Sequence, residues 1–323
     1  LQTYCNFNIY TGGMGFFSRE KKKKGSLAIA FGAGGVCIAA VERQPAGRPR
    51  VALSAFYPAA PAAIRESLTS IGREVRADEY RCMNLLGTGE YQLLSVEAPN
   101  VPADELKTAV RWRLKDMLDF HVDDATIDVL NVPAGNSGSG RPQSMFAVAA
   151  RNSLIQARQE QFRDAGMGLS VIDIPEMAQR NIAALLEPEG RGVALLSFDR
   201  SGGLLTVTYQ GELYLARRVD VTLEQLQGDR QLALERVALE LQRSLDHFDR
   251  QYSFINVSKL MLAPSGISGL ADFLAPNLYV PVQAFELGEV LDLEATPELH
   301  GMEAQARHFL TLGAALRHEE VAL

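Results

Sequence analysis

The sequence predicts a two-lobed α/β protein in which a mixed β-sheet domain occurs twice. Three observations carry this. First, "LAIAFGAGGVCIAAV", residues 27–41, is an apolar β-run, a glycine turn and a second apolar β-run. Second, the pattern returns in "VALLSFDRSGGLLTVTYQGELYLARRV", residues 193–219, which starts 166 positions later. That period is too long for a solenoid and suits a duplicated domain. Third, amphipathic helices alternate with short apolar strands after each meander, the pattern of helices packed on a mixed sheet.

Bulk properties agree. The chain has 323 residues, enough for two lobes, with 47% hydrophobic and 22% charged residues, a globular rather than a disordered balance. A formal net charge of −7 argues against a generally basic nucleic-acid surface. Cys5, Cys37 and Cys82 are scattered, with no CxxC and no metal spacing to the histidines, so a reducing compartment is expected. No apolar run approaches the ~20 residues of a membrane span, and no signal-peptide pattern is visible.

Along the first half, strands are predicted at 27–31 and 36–42 around Gly32-Ala33-Gly34-Gly35, then at about 50–56. Ile64, Leu68 and Ile71 lie at helical spacing. "YRCMNLL" and "EYQLLSVEA" read as strands around Gly87-Thr88-Gly89. "VPADELKTAVRWRLKDMLDF" predicts one long helix with Leu106, Val110, Leu114 and Met117 as its apolar stripe, and Trp112 flanking it or packed on a neighbour. "ATIDVLNVP" is a strand, "AGNSGSGRPQS" a loop, "MFAVAA" a buried strand. "SLIQARQEQFRDAG" is a helix stopped by Gly166, followed by a strand at 169–174 and a helix at 176–186.

The second half opens with the meander at 193–219. A long helix over about 229–251 follows, with Leu234, Val237, Leu241, Leu245 and Phe248 at spacings of three and four. "VSKLML" is a strand, Pro264-Ser265-Gly266 a turn, "SGLADFL" a short helix and "VPVQAF" a strand. The final helix is expected over 303–317, with Phe309, Leu312 and Leu316 on one side.

The chain's beginning reads differently. Residues 1–13 have no clear period or charge, and "MGFFSREKKKKG" reads as a more natural start at Met14, so 1–13 are expected to be an upstream extension or fragment artefact. Residues 1–25 are read as a weakly ordered basic leader. The run Lys21–Lys24 is expected to be a solvated tail; with Phe16 and Phe17 it would make at most a weak anchor to an anionic surface. Arg19 sits where a myristoylation signal wants Ser or Thr.

Two glycine-turn meanders, a long helix, then strand, turn and helix form the layout of the actin and hexokinase-type fold. More narrowly, the chain resembles the PilM-like, actin-like proteins of type IV pilus assembly, and within them the MshI group of the mannose-sensitive haemagglutinin pilus. The resemblance rests on "MGFFSREKKKK", "LAIAFGAGGV", "AVRWRLKDMLDFHVDDATIDV", "LELQRSLDHFDRQ" and "LTLGAALR", which occur in order between Met14 and Arg317. It implies a first lobe over 26–187 with a small inserted subdomain at about 100–150, and a second lobe over 188–323 whose last helix returns to the first. It implies a cytoplasmic protein at the inner face of the inner membrane. Its partner would be the short cytoplasmic tail of a PilN-like membrane protein, held between the core and the inserted subdomain near residues 79–150. The pilus assembly ATPase and the inner-membrane platform would be indirect partners.

The resemblance also implies a nucleotide site, and here the sequence departs from the pattern. The family's first strand ends Asp-x-Gly before a Ser-rich turn; this chain has Ala30-Phe31-Gly32, and Cys37 where the family often has Lys. In the second hairpin the expected Asp-x-Gly is Ser197-Phe198-Asp199, where the carboxylate has moved two places or is unrelated to the family's. The adenosine turn is Pro264-Ser265-Gly266. A metal-assisted phosphate site needs a carboxylate in place, so Gly32, Ala33, Gly34, Gly35, Ser201, Gly202, Gly203 and Gly266 are read as vestigial nucleotide loops. The leading expectation is a non-catalytic adaptor with no metal and no required cofactor. The alternatives are an MgATP-dependent switch or ATPase, and a small-molecule kinase using Asp128 or Asp173. Backbone N–H groups around both turns leave nucleotide binding without hydrolysis open. His121, Asp123 and Asp124 are read as a solvated loop or cap, His247 as exposed between Asp246 and Asp249, and Ser201 as lacking a triad.

Overall fold

The computed structural model describes residues 23–32, 34–102, 104–134 and 143–317. The calls on residues 1–22, on Ala33 and on most of the 134–144 loop lie outside them.

The chain opens with β1 (Ser26–Gly32), β2 (Gly35–Glu42), β3 (Arg50–Pro58), α1 (Ile64–Glu74) and β4 (Arg81–Leu85). Next come β5 (Tyr91–Glu97), α2 (Leu106–Leu114), β6 (Ala125–Asn131), β7 (Ser144–Arg151), α3 (Asn152–Asp164), β8 (Leu169–Asp173) and α4 (Pro175–Leu186). The second half has β9 (Gly192–Asp199), β10 (Gly202–Tyr209), β11 (Glu212–Val219), α5 (Leu223–Gln227) and α6 (Arg230–Gln251). It closes with β12 (Val257–Leu262), α7 (Leu270–Leu274), β13 (Val282–Ala284) and α8 (Met302–Ala315).

Two five-stranded sheets have matching topology. Their orders are β3-β2-β1-β4-β8 and β11-β10-β9-β12-β13. In each, the opening meander is antiparallel and the last two strands join in parallel. The recurrence read from the two glycine turns is therefore a duplication of topology.

Side-chain alternation along β1 explains how the sheet is covered. Leu27 and Ile29 point to the core shared with α1 and α3, while Ala28 faces the core shared with α8. Ala28 pairs with Ala39 across β1–β2. These small residues let α8 lie close on the first sheet. α8 thus packs on β1 and β2, and α4 packs on β9, β10 and β11. The two helices cross each other between the sheets, and one core joins Ala28, Val41 and Met83 to Val193, Leu195 and Met261. On its outer face the second sheet is covered by α6, whose predicted stripe Leu234, Val237, Leu241, Leu245 and Phe248 is buried.

The inserted unit starts earlier than the expected boundary near 100. β5 lies outside the first sheet and, among the described residues, pairs with β7 alone, giving a separate sheet β5-β7-β6 with its own core of Val96, Val110, Leu114, Met145 and Ala147. The Gly87–Gly89 turn, with Gly89 at φ +87°, redirects the chain there. α2 is also shorter than the predicted 20-residue span. It ends at Leu114, which leaves Met117 beyond it on the surface at 46% exposure, and Trp112, inside the helix, is 71% exposed. Trp112 lies off the inward stripe, which is Val110 and Leu114, buried, with Leu106 half-buried against the same core.

α8 carries one buried titratable group. Burial, with Arg307 adding to it, lowers the His308 pKa from 6.5 to about 4, so the ring is neutral in the fold. An unfolded chain takes up a proton below pH 6.5 that the folded chain refuses until about pH 4. Stability from this group is therefore level above that window and falls as pH drops through it. Between about pH 7.5 and about pH 5, wild type is expected to lose about 2 kcal/mol more than His308→Gln in urea unfolding.

Candidate functional site

The three loops that the sequence marks lie at the ends of strands, and local chemistry accounts for each. In the first hairpin Gly32 pairs with Gly35. Gly35 adopts φ +148°, and a Cβ there would sit 2.1 Å from the Tyr57 carbonyl oxygen. The glycine is required by the approach of β3 to β2. Beside it, Phe31 packs on Phe162, with ring centroids 6.2 Å apart, and the Arg158 guanidinium lies 4.7 Å above the Phe31 ring. Arg158 also pairs with Glu90, whose other oxygen accepts the Gly87 N–H at 2.8 Å. The end of β1 is thus tied to α3 by an aromatic pair and a cation–π contact, with alanine at position 30.

In the second hairpin Asp199 has a definite task. Its Oδ1 accepts the backbone N–H of Ser201 at 2.7 Å and of Gly202 at 3.1 Å. This Asx-type closure satisfies the turn donors internally. Those are donors that a phosphate at this hairpin would need. Gly202, at φ +138°, approaches the Val219 carbonyl, where a Cβ would stand 2.8 Å from its oxygen. In the third loop Gly266 adopts φ +68° in open space, and the Ser265 hydroxyl accepts the Ile267 N–H at 3.3 Å.

Between the inserted sheet and the second lobe lies a polar cluster that the sequence does not mark. The Tyr91 hydroxyl donates to Glu176 Oε2 at 2.5 Å, and Arg218 Nη2 donates to Glu176 Oε1 at 3.2 Å and to the Tyr91 oxygen at 3.0 Å. Glu176 is buried at the start of α4. An acid in the first helical turn is a signal that could have pointed to it. Tyr91 comes from β5 and Arg218 from β11, and only the fold brings them together. Burial, then the Glu176 charge, pushes the Tyr91 hydroxyl well above its usual range, so it remains a donor. A cavity of about 330 Å³ adjoins the cluster, lined by Thr88, Gly89, Leu93, Ala216 and Arg217 as well.

The other candidate carboxylates are engaged. Asp173 is fully buried and pairs with Arg317 at 3.0 Å. Asp128 pairs with Lys107 at 2.6 Å. His121 Nδ1 accepts the Asp123 N–H at 3.3 Å as a cap, and no group of three metal-ligating side chains occurs among the described residues. Of the lysine run, Lys23 donates to the Asp78 carbonyl at 2.8 Å and Lys24 pairs with Glu79.

No protein-family model and no curated protein matches the chain. Solved structures do. A structure described as the PilM–PilN type IV pilus biogenesis complex aligns with TM-score 0.69 at 20% identity, over 90% of this chain and 97% of that one. The fold is actin-like. Its twin meander sheets and the crossing of α4 with α8 between them are that architecture. More distant are the cytoplasmic domain of EpsL, an inner-membrane component of the Vibrio cholerae type II secretion system, and a Bacteroides thetaiotaomicron protein of actin-like ATPase fold. EpsL aligns at 16% identity and TM-score 0.49 over 91% of this chain and 96% of its own. The Bacteroides protein aligns at 11% and 0.49 over 89% and 100%. Within the described residues of this actin-like chain, no helix is long and apolar enough to cross a membrane.

Proposed function

We propose that this chain is a non-catalytic adaptor of type IV pilus biogenesis, of the MshI kind. It docks the cytoplasmic tail of a PilN-like inner-membrane protein at the cytoplasmic face of that membrane. The assembly ATPase and the membrane platform are reached through that partner. The likeness to a PilM–PilN complex supports the choice of partner. The observation that carries the non-catalytic part is Asp199. Its carboxylate closes the second hairpin on Ser201 and Gly202, while position 30 offers no carboxylate to a metal. A triphosphate arriving here meets turn donors already satisfied and an acidic group that repels it.

Calorimetry on the purified chain tests both halves. A synthetic PilN-like tail peptide is expected to bind with Kd of about 1–50 μM, and MgATP to show no binding up to about 1 mM. MgATP binding tighter than about 1 μM, or no heat from the peptide at about 500 μM, contradicts the reading.

A further inference from the structure

Two helix faces carry large apolar side chains that no described element covers. On α2, Glu105, Thr108, Trp112 and Asp116 follow one another at spacings of three, four and four, which places them on one side of a helix. Glu105 has a helical backbone just before α2, and past Leu114 the turn continues through the Leu118 N–H, which donates to the Leu114 carbonyl at 3.2 Å. All four residues are exposed. Among the described residues no ion pair or hydrogen bond engages the Glu105 or Asp116 carboxylate. Asp119 extends the face and Lys115 stands to one side of it. The result is a single indole in an acidic field.

The second face is on α6. Leu232, Arg236, Leu239 and Arg243 follow at spacings of four, three and four, opposite the buried Leu234, Val237, Leu241 and Leu245. Leu232 and Leu239 are 56% and 44% exposed. Arg236 meets Asp220 at 3.8 Å and Arg243 meets Glu240 at 3.5 Å. Solvated pairs of this kind hold their partners weakly and can re-form elsewhere. This ridge is therefore aliphatic in a basic field.

The two faces complement each other. Like against like sets carboxylate on carboxylate or guanidinium on guanidinium, whereas unlike faces pair opposite charges. A large exposed indole is the type of side chain that anchors an interface, and arginine stacks well on its ring. At the rise of a helix, Glu105 and Asp116 stand about 16 Å apart along α2, and Arg236 and Arg243 about 10 Å apart along α6. Long arginine side chains span that difference.

We propose that a second copy of this chain docks head to tail, the α2 face of one copy on the α6 ridge of the next. Trp112 sits against Leu239, and the Glu105 and Asp116 carboxylates meet Arg236 and Arg243. Each copy then keeps one face unused, so the contact propagates into a ring or a filament instead of closing as a two-fold dimer. One helix against another is a small interface, which sets the expected Kd at about 10–100 μM. This assembly does not depend on the docking reading above.

Trp112 is the only tryptophan of the chain, so its emission reports the contact directly. In the unaltered protein at low salt, raising the concentration from about 2 μM to about 300 μM is expected to shift front-face emission to the blue and to raise the sedimentation-equilibrium mass above the monomer's. About 0.5 M NaCl is expected to reverse both. Trp112→Ser and Leu239→Asp each damage one face, and each alone is expected to stay monomeric. Mixed in equal amounts, they restore one intact contact: the tryptophan of Leu239→Asp meets the unaltered ridge of Trp112→Ser. That complex is expected to stop at two copies. An unaltered protein that stays monomeric at about 300 μM leaves these faces to some other molecule and overturns the proposal. Association that either variant leaves unchanged overturns it too, as does a mixture of the two variants that fails to associate.

Discussion

Arg317→Leu is expected to destabilise the protein by about 3–5 kcal/mol in urea unfolding at neutral pH. Arg317 follows α8, and its Nη1 lies 3.0 Å from Asp173 Oδ2 at the end of β8. The two side chains are 1% and 0% exposed. Asp173 Oδ1 also accepts the Ile174 N–H at 2.9 Å, which starts α4. The pair therefore joins the end of the last helix to the point where the first sheet hands over to the interlobe helix. Removing the guanidinium leaves a fully buried carboxylate without its cation, and that desolvation cost is what the experiment reads. Asp173→Leu strands the cation and is expected to cost a similar amount. The double variant Asp173→Leu/Arg317→Leu is expected to lose less than the two single losses added together, because neither charge is then stranded. A loss below about 1 kcal/mol in either single variant contradicts the buried pair. The same geometry bears on the kinase alternative. A general base must reach its substrate's proton, and the Asp173 carboxylate is sealed by Arg317 and the Ile174 amide.

What the sequence disclosed follows a physical rule. Contacts made by neighbours in the chain were legible: the β1–β2 and β9–β10 hairpins, the α6 stripe and the Gly166 stop, where φ is +71°. Contacts made at a distance were not. The sequence marks 176–186 only as a helix, yet Glu176, Gln179 and Arg180 on it are buried. Gln179 Nε2 donates to the Leu195 and Leu204 carbonyls at 2.8 and 3.0 Å, and its Oε1 accepts from Ser197 Oγ at 2.5 Å. A polar residue can lie inside when a sheet's carbonyls await it, and no local pattern announces that. Asp199 shows the intermediate case. Its place just before the Ser201–Gly203 turn was visible in the sequence, but its bonds to Ser201 and Gly202 needed the turn's geometry. Trp112 lies within α2 but on the side turned away from Val110 and Leu114, so a side chain expected at a packing edge stands in solvent.

The second large effect is expected at Gly313, where local propensity and packing predict opposite signs. In an isolated helix, alanine is favoured over glycine by about 1 kcal/mol. In α8, a Cβ at 313 would sit 2.2 Å from the Ala178 carbonyl oxygen and 2.8 Å from its carbon, both backbone atoms of α4. Backbone inside a helix cannot step aside, so the whole α4–α8 crossing must open, and the Asn181 Nδ2 bond to the Gly313 carbonyl, 2.9 Å long, goes with it. Gly313→Ala is expected to cost about 3 kcal/mol, at the upper end for an overpacked core. Gly72 in α1 supplies the contrast. The tight contacts of a Cβ there are the Met167 Cγ and Sδ at 3.0 and 3.1 Å, side-chain atoms that can rotate away, and the Ala165 carbonyl oxygen at 3.6 Å is an ordinary van der Waals contact. Gly72→Ala is expected to fall within about 1 kcal/mol of wild type. If Gly313→Ala proved as stable as Gly72→Ala, the two helices would have to stand farther apart than described. The small-residue face of Ala28 and Ala39, on which α8 lies, would then lose its reason, since it exists to let that helix come close to the first sheet while touching α4.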